Sequence, residues 1–165
     1  MLAALHGEAS LMISVKLRDL HHQDRVAVIA MLQDPKVMRF LGPRRALTDD
    51  EAELWFESAL ANPSRFAIAE SDTDEFIGFC GIKQIDDVPD FGYFIRSEFW
   101  GSGIAAKVCE LAVERLSSEI DLETVQVFIA DENLASQRVA QKLGWEATCS
   151  GSKDGEHGQY YRITT

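Results

Sequence analysis

Cysteine is scarce: Cys80, Cys109 and Cys149 are the only three in 165 residues, and none forms a CxxC pair. A set this small, odd and widely spaced indicates neither a zinc site nor a disulfide framework, and no metal is expected. Each sits in an apolar stretch and is expected to be a small core residue in a reducing, cytoplasmic compartment. Long apolar runs are missing too. None approaches the ~18 residues of a membrane-spanning helix, so no membrane association is expected. Positive charge is short: 16 Lys and Arg against 27 Asp and Glu leave a net charge of −11. A nucleic-acid surface needs a basic stripe to displace counterions from phosphates, so that class is excluded. The acidity permits a cationic substrate such as an amine, and plain solubility is its simpler reading. Repeats, low-complexity tracts and linkers are absent.

What is present is ordinary globular material, 46% apolar and 26% charged. A chain of this length suits one domain that buries roughly 70% of its unfolded surface. Residues 1–12 have no basic start and no sustained apolar core, so they read as a flexible extension rather than a signal peptide. The domain is expected over 13–165.

Ile13 to Leu17 alternates apolar and polar residues and reads as a strand with one buried face. Val26, Ile29 and Leu32 recur at helical spacing over His22 to Gln33, and Pro35 stops that helix. Thr48-Asp49-Asp50-Glu51 is a capping box. Behind it Ala52, Trp55, Phe56, Ala59 and Leu60 mark one helical face up to Asn62-Pro63. Strands are expected at Phe66–Glu70, Phe76–Ile85 and Asp90–Ile95, the first two joined by a polar hairpin loop. The second half reads as helix Gly103–Ser118, strand Thr124–Ala130, helix Leu134–Leu143, then short strands near Trp145–Cys149 and Gln159–Thr164. A strand, helix, strand order of this length suits a right-handed parallel crossover. The fold expected is a single α/β (α+β) domain: a twisted mixed sheet of about six or seven strands with about four helices.

Trp100-Gly101-Ser102-Gly103-Ile104-Ala105 falls between a strand and an amphipathic helix. Glycines there allow a tight bend and close approach of a bound group. The first helical amides lack intrahelical acceptors, and the helix dipole adds partial positive charge, so such a turn receives a pyrophosphate readily. Glycines also make tight connections with no ligand at all, and two pyrophosphate cofactors compete. Gly101-x-Gly103-x-x-Ala106 satisfies a dinucleotide fingerprint with Asp131 at the end of the next strand. That fingerprint should sit close behind its strand with several βα units downstream. Here Arg96 to Trp100 intervene and only about sixty residues follow, so the nicotinamide reading fails on context.

The turn also resembles the motif of the GNAT superfamily of N-acetyltransferases, with Trp100 at its first position and Gly103 and Ala105 at the small ones. The Trp-Gly-x-Gly variant is similar to the branch containing the RimJ/RimL ribosomal-protein N-terminal acetyltransferases. Further segments look like that branch: Asp34-Pro35-Lys36-Val37-Met38-Arg39-Phe40-Leu41-Gly42, Phe66-Ala67-Ile68, Phe76-Ile77-Gly78 with Gly81-Ile82, Gly92-Tyr93-Phe94-Ile95, Asn133-Leu134-Ala135-Ser136 and Lys142-Leu143-Gly144-Trp145. The resemblance spans about Ile13 to Ile163. It implies acetyl-CoA as donor, parallel strands splayed at the donor site, and an amine acceptor, either a protein N-terminus or a small molecule. An acyl-CoA-binding sensor or interaction domain of the same fold is the alternative. The oligomeric expectation is monomer or homodimer.

The same resemblance assigns roles. Phe94 and Ile95 would offer backbone groups to the pantetheine arm, and an amide of that stretch would stabilise the thioester oxygen. Gly101, Ser102, Gly103, Ile104 and Ala105 would hold the pyrophosphate beside Trp100. Asn133 matches a pantetheine-touching position and is equally a good helix N-cap. An alkyl amine with pKa near ~10 needs a base, and Asp90 stands where many members of the branch carry an acid; a turn residue is its plainer reading. Glu156 and His157, in a polar loop made mobile by Gly151, Gly155 and Gly158, are weaker candidates. Many GNAT enzymes have a leaving-group Tyr seven residues after the Asn. Here Ala140 stands there, and Ser136 takes over beside the thioester, unless it only bonds local backbone. Arg44-Arg45 would meet an acidic substrate, the CoA 3′-phosphate or solvent.

Overall fold

Alternation of apolar and polar residues folds the first half of the chain into an antiparallel meander, and the second half adds a smaller sheet beside it. The computed structural model describes residues 13–165, and the extension expected over residues 1–12 lies outside the described residues. The meander is β1 (Val15–Arg18), β2 (Phe66–Glu70), β3 (Phe76–Ile85) and β4 (Val88–Ile95), in that spatial order. Between β1 and β2 lie α1 (Arg25–Leu32), the single turn α2 (Pro35–Met38) and α3 (Asp49–Ala61). After β4 come α4 (Ile104–Ser117), β5 (Val127–Ala130), α5 (Leu134–Lys142), β6 (Glu146–Lys153) and β7 (Glu156–Arg162). The second sheet has the order β5-β7-β6.

The capping box forms as the sequence predicts. Glu51 N–H donates to Thr48 Oγ1 at 3.2 Å, and Thr48 N–H donates to Glu51 Oε1 at 2.9 Å. Pro35 ends one helix and opens another: Gln33 caps α1, then Pro35 takes the first position of α2, where its missing N–H costs nothing. On the meander, alternate residues face opposite layers. Ala67, Phe76 and Phe79 pack with Val28, Leu32 and Phe56 of α1 and α3. Ile68, Ile77, Phe91 and Ile95 pack against Val108, Cys109 and Ala112 of α4.

The mixed character of the sheet is confined to a seam. One parallel bridge, Asp90 to Gln126, joins the halves, with Phe91 N–H bonded to Gln126 O and Gln126 N–H to Pro89 O, each at 2.8 Å. Past Phe91 no strand among the described residues pairs with β4 on that side, and its outer edge is open.

Two expectations need correction. Cys149 is exposed rather than core, because β6 pairs only with β7 and faces solvent along most of its length. The stretch from Ser150 to Gly158 is no mobile loop but a regular hairpin, with Gly151 opposite Gly158 and a tight turn at Asp154-Gly155 (φ 51° and 82°). Gly158 is glycine for packing reasons: a Cβ there would lie 2.3 Å from Ile129 O on the neighbouring strand.

Candidate active site

The glycine turn has the backbone that its residues suggest. Gly101 (φ 83°) and Gly103 (φ 77°) adopt left-handed conformations that a side chain disfavours. A Cβ on either would meet nothing within 4 Å, so open space lies above both. Gly103 caps α4 without a side-chain bond, and the first helical acceptor is Gly103 O, bonded by Lys107 N–H at 3.3 Å. The amides of Ile104, Ala105 and Ala106 therefore have no intrahelical acceptor. Two side chains pin the turn: Trp100 Nε1 donates to Ile95 O at 2.8 Å, and Ser102 Oγ to Phe99 O at 2.7 Å.

A groove of about 670 Å³ runs from this turn along the open edge of β4 to the start of α5. Lys36, Arg39, Arg138 and Lys142 line it, against the single carboxylate of Glu132. That basic lining contrasts with a chain of net charge −11. These four cations were not among the residues expected at the site. A signal for two of them was available, since Arg138 and Lys142 stand four apart on one helix face.

Strand alternation decides which backbone groups reach the groove. Phe91 bonds outward across the seam, and Arg96 N–H bonds inward to Ile77 O at 2.9 Å. Tyr93 and Ile95 accordingly point outward, and Phe94 points back toward its register partner Phe79. Phe94, expected to present backbone, turns those groups toward β3, and Tyr93 supplies the outward groups.

A second cavity of about 500 Å³ adjoins the groove and shares with it Phe40 and Leu41 as well as Tyr93, Phe94, Asn133, Ser136 and Val139. At this junction Asn133 caps α5, its Oδ1 accepting from Ser136 N–H at 3.2 Å. Tyr93 donates its hydroxyl to Ser136 Oγ at 3.0 Å. Burial pushes the Tyr93 phenol well above its ordinary range, so it remains a proton-bearing donor. Sequence reasoning gave Tyr93 no role; its 43-residue separation from Ser136 hides the pair. Ala140 is 1% exposed, packs in the core and borders this second cavity.

Asp90 is buried in the wall of the second cavity, with both oxygens engaged. Arg65 Nη2 lies 3.2 Å from Oδ2, and Lys153 Nζ lies 2.8 Å from Oδ1. Glu156 pairs with Arg44, and His157 is exposed beside Ser152. Arg45 forms a two-bond pair with Glu51, outside both cavities. Among the described residues no cluster of His, Cys, Asp and Glu is placed to hold a metal ion, and no helix is long and apolar enough to cross a membrane.

Comparison with known proteins follows the same lines. The family profile described as an acetyltransferase (GNAT) domain matches residues 14–146. YoaA of Bacillus subtilis (strain 168), named as an uncharacterized N-acetyltransferase, is 27% identical over 138 residues, covering 79% of this chain and 78% of the relative. The similarly named p20 of Bacillus licheniformis is 22% identical over the same shares. Among solved structures, a GNAT-family acetyltransferase from Bacillus anthracis superposes with a TM-score of 0.77 at 17% identity, over 92% of this chain and 96% of that one. The spermidine N-acetyltransferase of Vibrio cholerae, solved with CoA and spermine, gives 0.68 at 17% identity, over 90% and 92%. These superpositions establish the fold.

Proposed function

Because the chain belongs to the GNAT acetyltransferase family, we propose that it moves an acetyl group from acetyl-CoA to a primary amine by direct attack on the thioester. The observation that carries this is the groove: four cations and a left-handed glycine turn in an acidic chain, opening through Tyr93 and Ser136 into a second cavity. The branch we favour is the RimJ/RimL type, in which a protein N-terminus is one candidate acceptor and a small amine the other.

The residues fit the donor. Open space above Gly101 and Gly103, with the unpaired amides at the start of α4, suits a pyrophosphate. Lys36, Arg39, Arg138 and Lys142 supply charge for phosphates. The outward amides of Tyr93 and Ile95, with the Tyr93 carbonyl, suit an amide-bearing arm lying along β4 as an added strand, the Ile95 carbonyl being taken by Trp100. Bound acetyl-CoA supplies an activated acyl carbon and a sulfur leaving group whose thiol pKa, near ~8.5, requires little help.

In this reading Asp90 takes the proton from the acceptor ammonium, directly or through water, as the new N–C bond forms. An outward amide of β4 stabilises the carbonyl oxygen. Ser136, oriented by Asn133 and Tyr93, donates a hydrogen bond toward the sulfur as the C–S bond breaks. Thiol release from acetyl-CoA with a panel of primary amines and peptide N-termini tests the proposal. Turnover with at least one acceptor is expected. Tight CoA binding with no turnover on any amine would leave a sensor of the same fold and sink the enzyme assignment.

A further inference from the structure

The two cations on Asp90 are held with very different firmness. Arg65 lies flat on β4: a Cβ at Gly92 would stand 3.2 Å from its Nη2 and 3.5 Å from its Nε. That Nε is enclosed, with no hydrogen-bond partner among the described residues, and burial pulls the guanidinium's pKa down. Packed against β4 with its Nε enclosed, Arg65 is a fixture. Lys153 reaches Asp90 from the opposite wall, as the last residue of β6 beside the Asp154-Gly155 turn. Its side chain is 24% exposed against 15% for Arg65, and it ends a flexible four-carbon stem where Arg65 ends in a planar fork.

The cavity that meets the groove at Tyr93 and Ser136 thus already contains a primary ammonium, bonded to its buried carboxylate. We propose that Lys153 is a stand-in for the acceptor: the incoming ammonium takes its seat on Asp90 by displacing it. This rests on the acetyltransferase reading and adds how the acceptor enters and what it is. The exchange strands no charge, because Asp90 trades one ammonium for another and Lys153 swings into solvent.

The rest of the cavity limits the acceptor. Phe40, Leu41, Leu47, Trp55 and Phe94 offer apolar wall. The charged lining is close to balanced, with Arg44, Arg65, Lys83 and Lys153 against Asp86, Asp90 and Asp154. Arg44 is further matched by Glu156. An apolar body fills the apolar wall without loss, whereas a second ammonium pressed against it gives up its water. The acceptor is therefore a monoamine with an apolar body rather than a polyamine.

The test is initial-rate kinetics of the wild type and Lys153→Met with phenethylamine and with spermidine, at saturating acetyl-CoA. Emptying the seat should lower the phenethylamine KM about fivefold, as follows when a competitor holding the site some four fifths of the time is removed. The change should fall on KM more than on kcat, and spermidine should be the poorer substrate of both proteins. Lys153→Gln, which keeps a polar end without charge, should reproduce the fall in KM and guards against a folding defect in the Met variant. An unchanged or raised KM in both variants, or a wild-type preference for spermidine, overturns the proposal. If the wild type acetylates some amine and these comparisons fail, only the exchange is lost. If it acetylates none, the acetyltransferase reading falls and takes this inference with it.

Discussion

Asp24 and Asp90 are the buried carboxylates among the described residues, and they are built for different ends. Asp24 is closed. Arg18 grips both its oxygens at 2.8 and 2.9 Å, and His21 N–H adds a bond at 2.8 Å. All three residues lie within one short stretch of chain, at the junction of β1 with the turn before α1. Asp90 is open. Its partners come from 25 and 63 residues away, one has an orphaned Nε, and both line a cavity. Burial and pairing alone do not mark a working acid. On the exchange proposed above, what separates the two is whether a partner can be replaced.

The contrast breaks most readily on the structural side. Asp24→Ala takes two hydrogen bonds from the Arg18 guanidinium, leaving Asp74 as its carboxylate partner, and should cost about 3 kcal/mol of stability by denaturant titration, while turnover per folded molecule stays the same. Asp90→Asn should do the reverse, cutting kcat about 100-fold, or about 2.7 kcal/mol of barrier, with a smaller loss of stability than Asp24→Ala. A stability loss equal to that of Asp24→Ala with kcat intact would make Asp90 a second structural pair. Tyr93→Phe removes one hydrogen bond at the junction and should lower kcat about tenfold. Because burial raises the phenol above its usual value, its proton persists as pH climbs through 10, so the wild-type rate should show no alkaline fall due to Tyr93. The smallest effect belongs to an exposed carboxylate. Glu51 is held down to about 2 from 4.5, first by the Arg45 hydrogen bond and then by Thr48 N–H. Its contribution is complete above pH 4.5 and disappears as pH falls toward 2, so Glu51→Gln should flatten that part of the Tm-against-pH curve.

How much of this was readable follows from distance along the chain. The capping box at Thr48, the stop at Pro35 and the turn at Gly101 and Gly103 are local, and each showed in a few consecutive letters. The groove's position followed from the turn, yet its cations came from α2 and α5, which only tertiary structure brings together. Gly151 and Gly158 misled because glycine in a polar stretch looks like loop. Here each sits opposite the other in a hairpin, and Gly158 makes room for the backbone of β5. Asp90 was found as a candidate acid, but Arg65 and Lys153 could not be. Nothing local links an arginine before β2, an aspartate on β4 and a lysine at the tip of β6.

The seam between the half-sheets has a consequence for the lifetime of the protein itself. A β edge whose outward amides at Tyr93 and Ile95 have no strand opposite is an incomplete ladder, and whatever lies along it finishes the fold. At a hundredfold excess over its dissociation constant such a ligand adds about 2.7 kcal/mol to stability. The supply of that one metabolite would then govern how many copies survive proteolysis as well as how fast each one works.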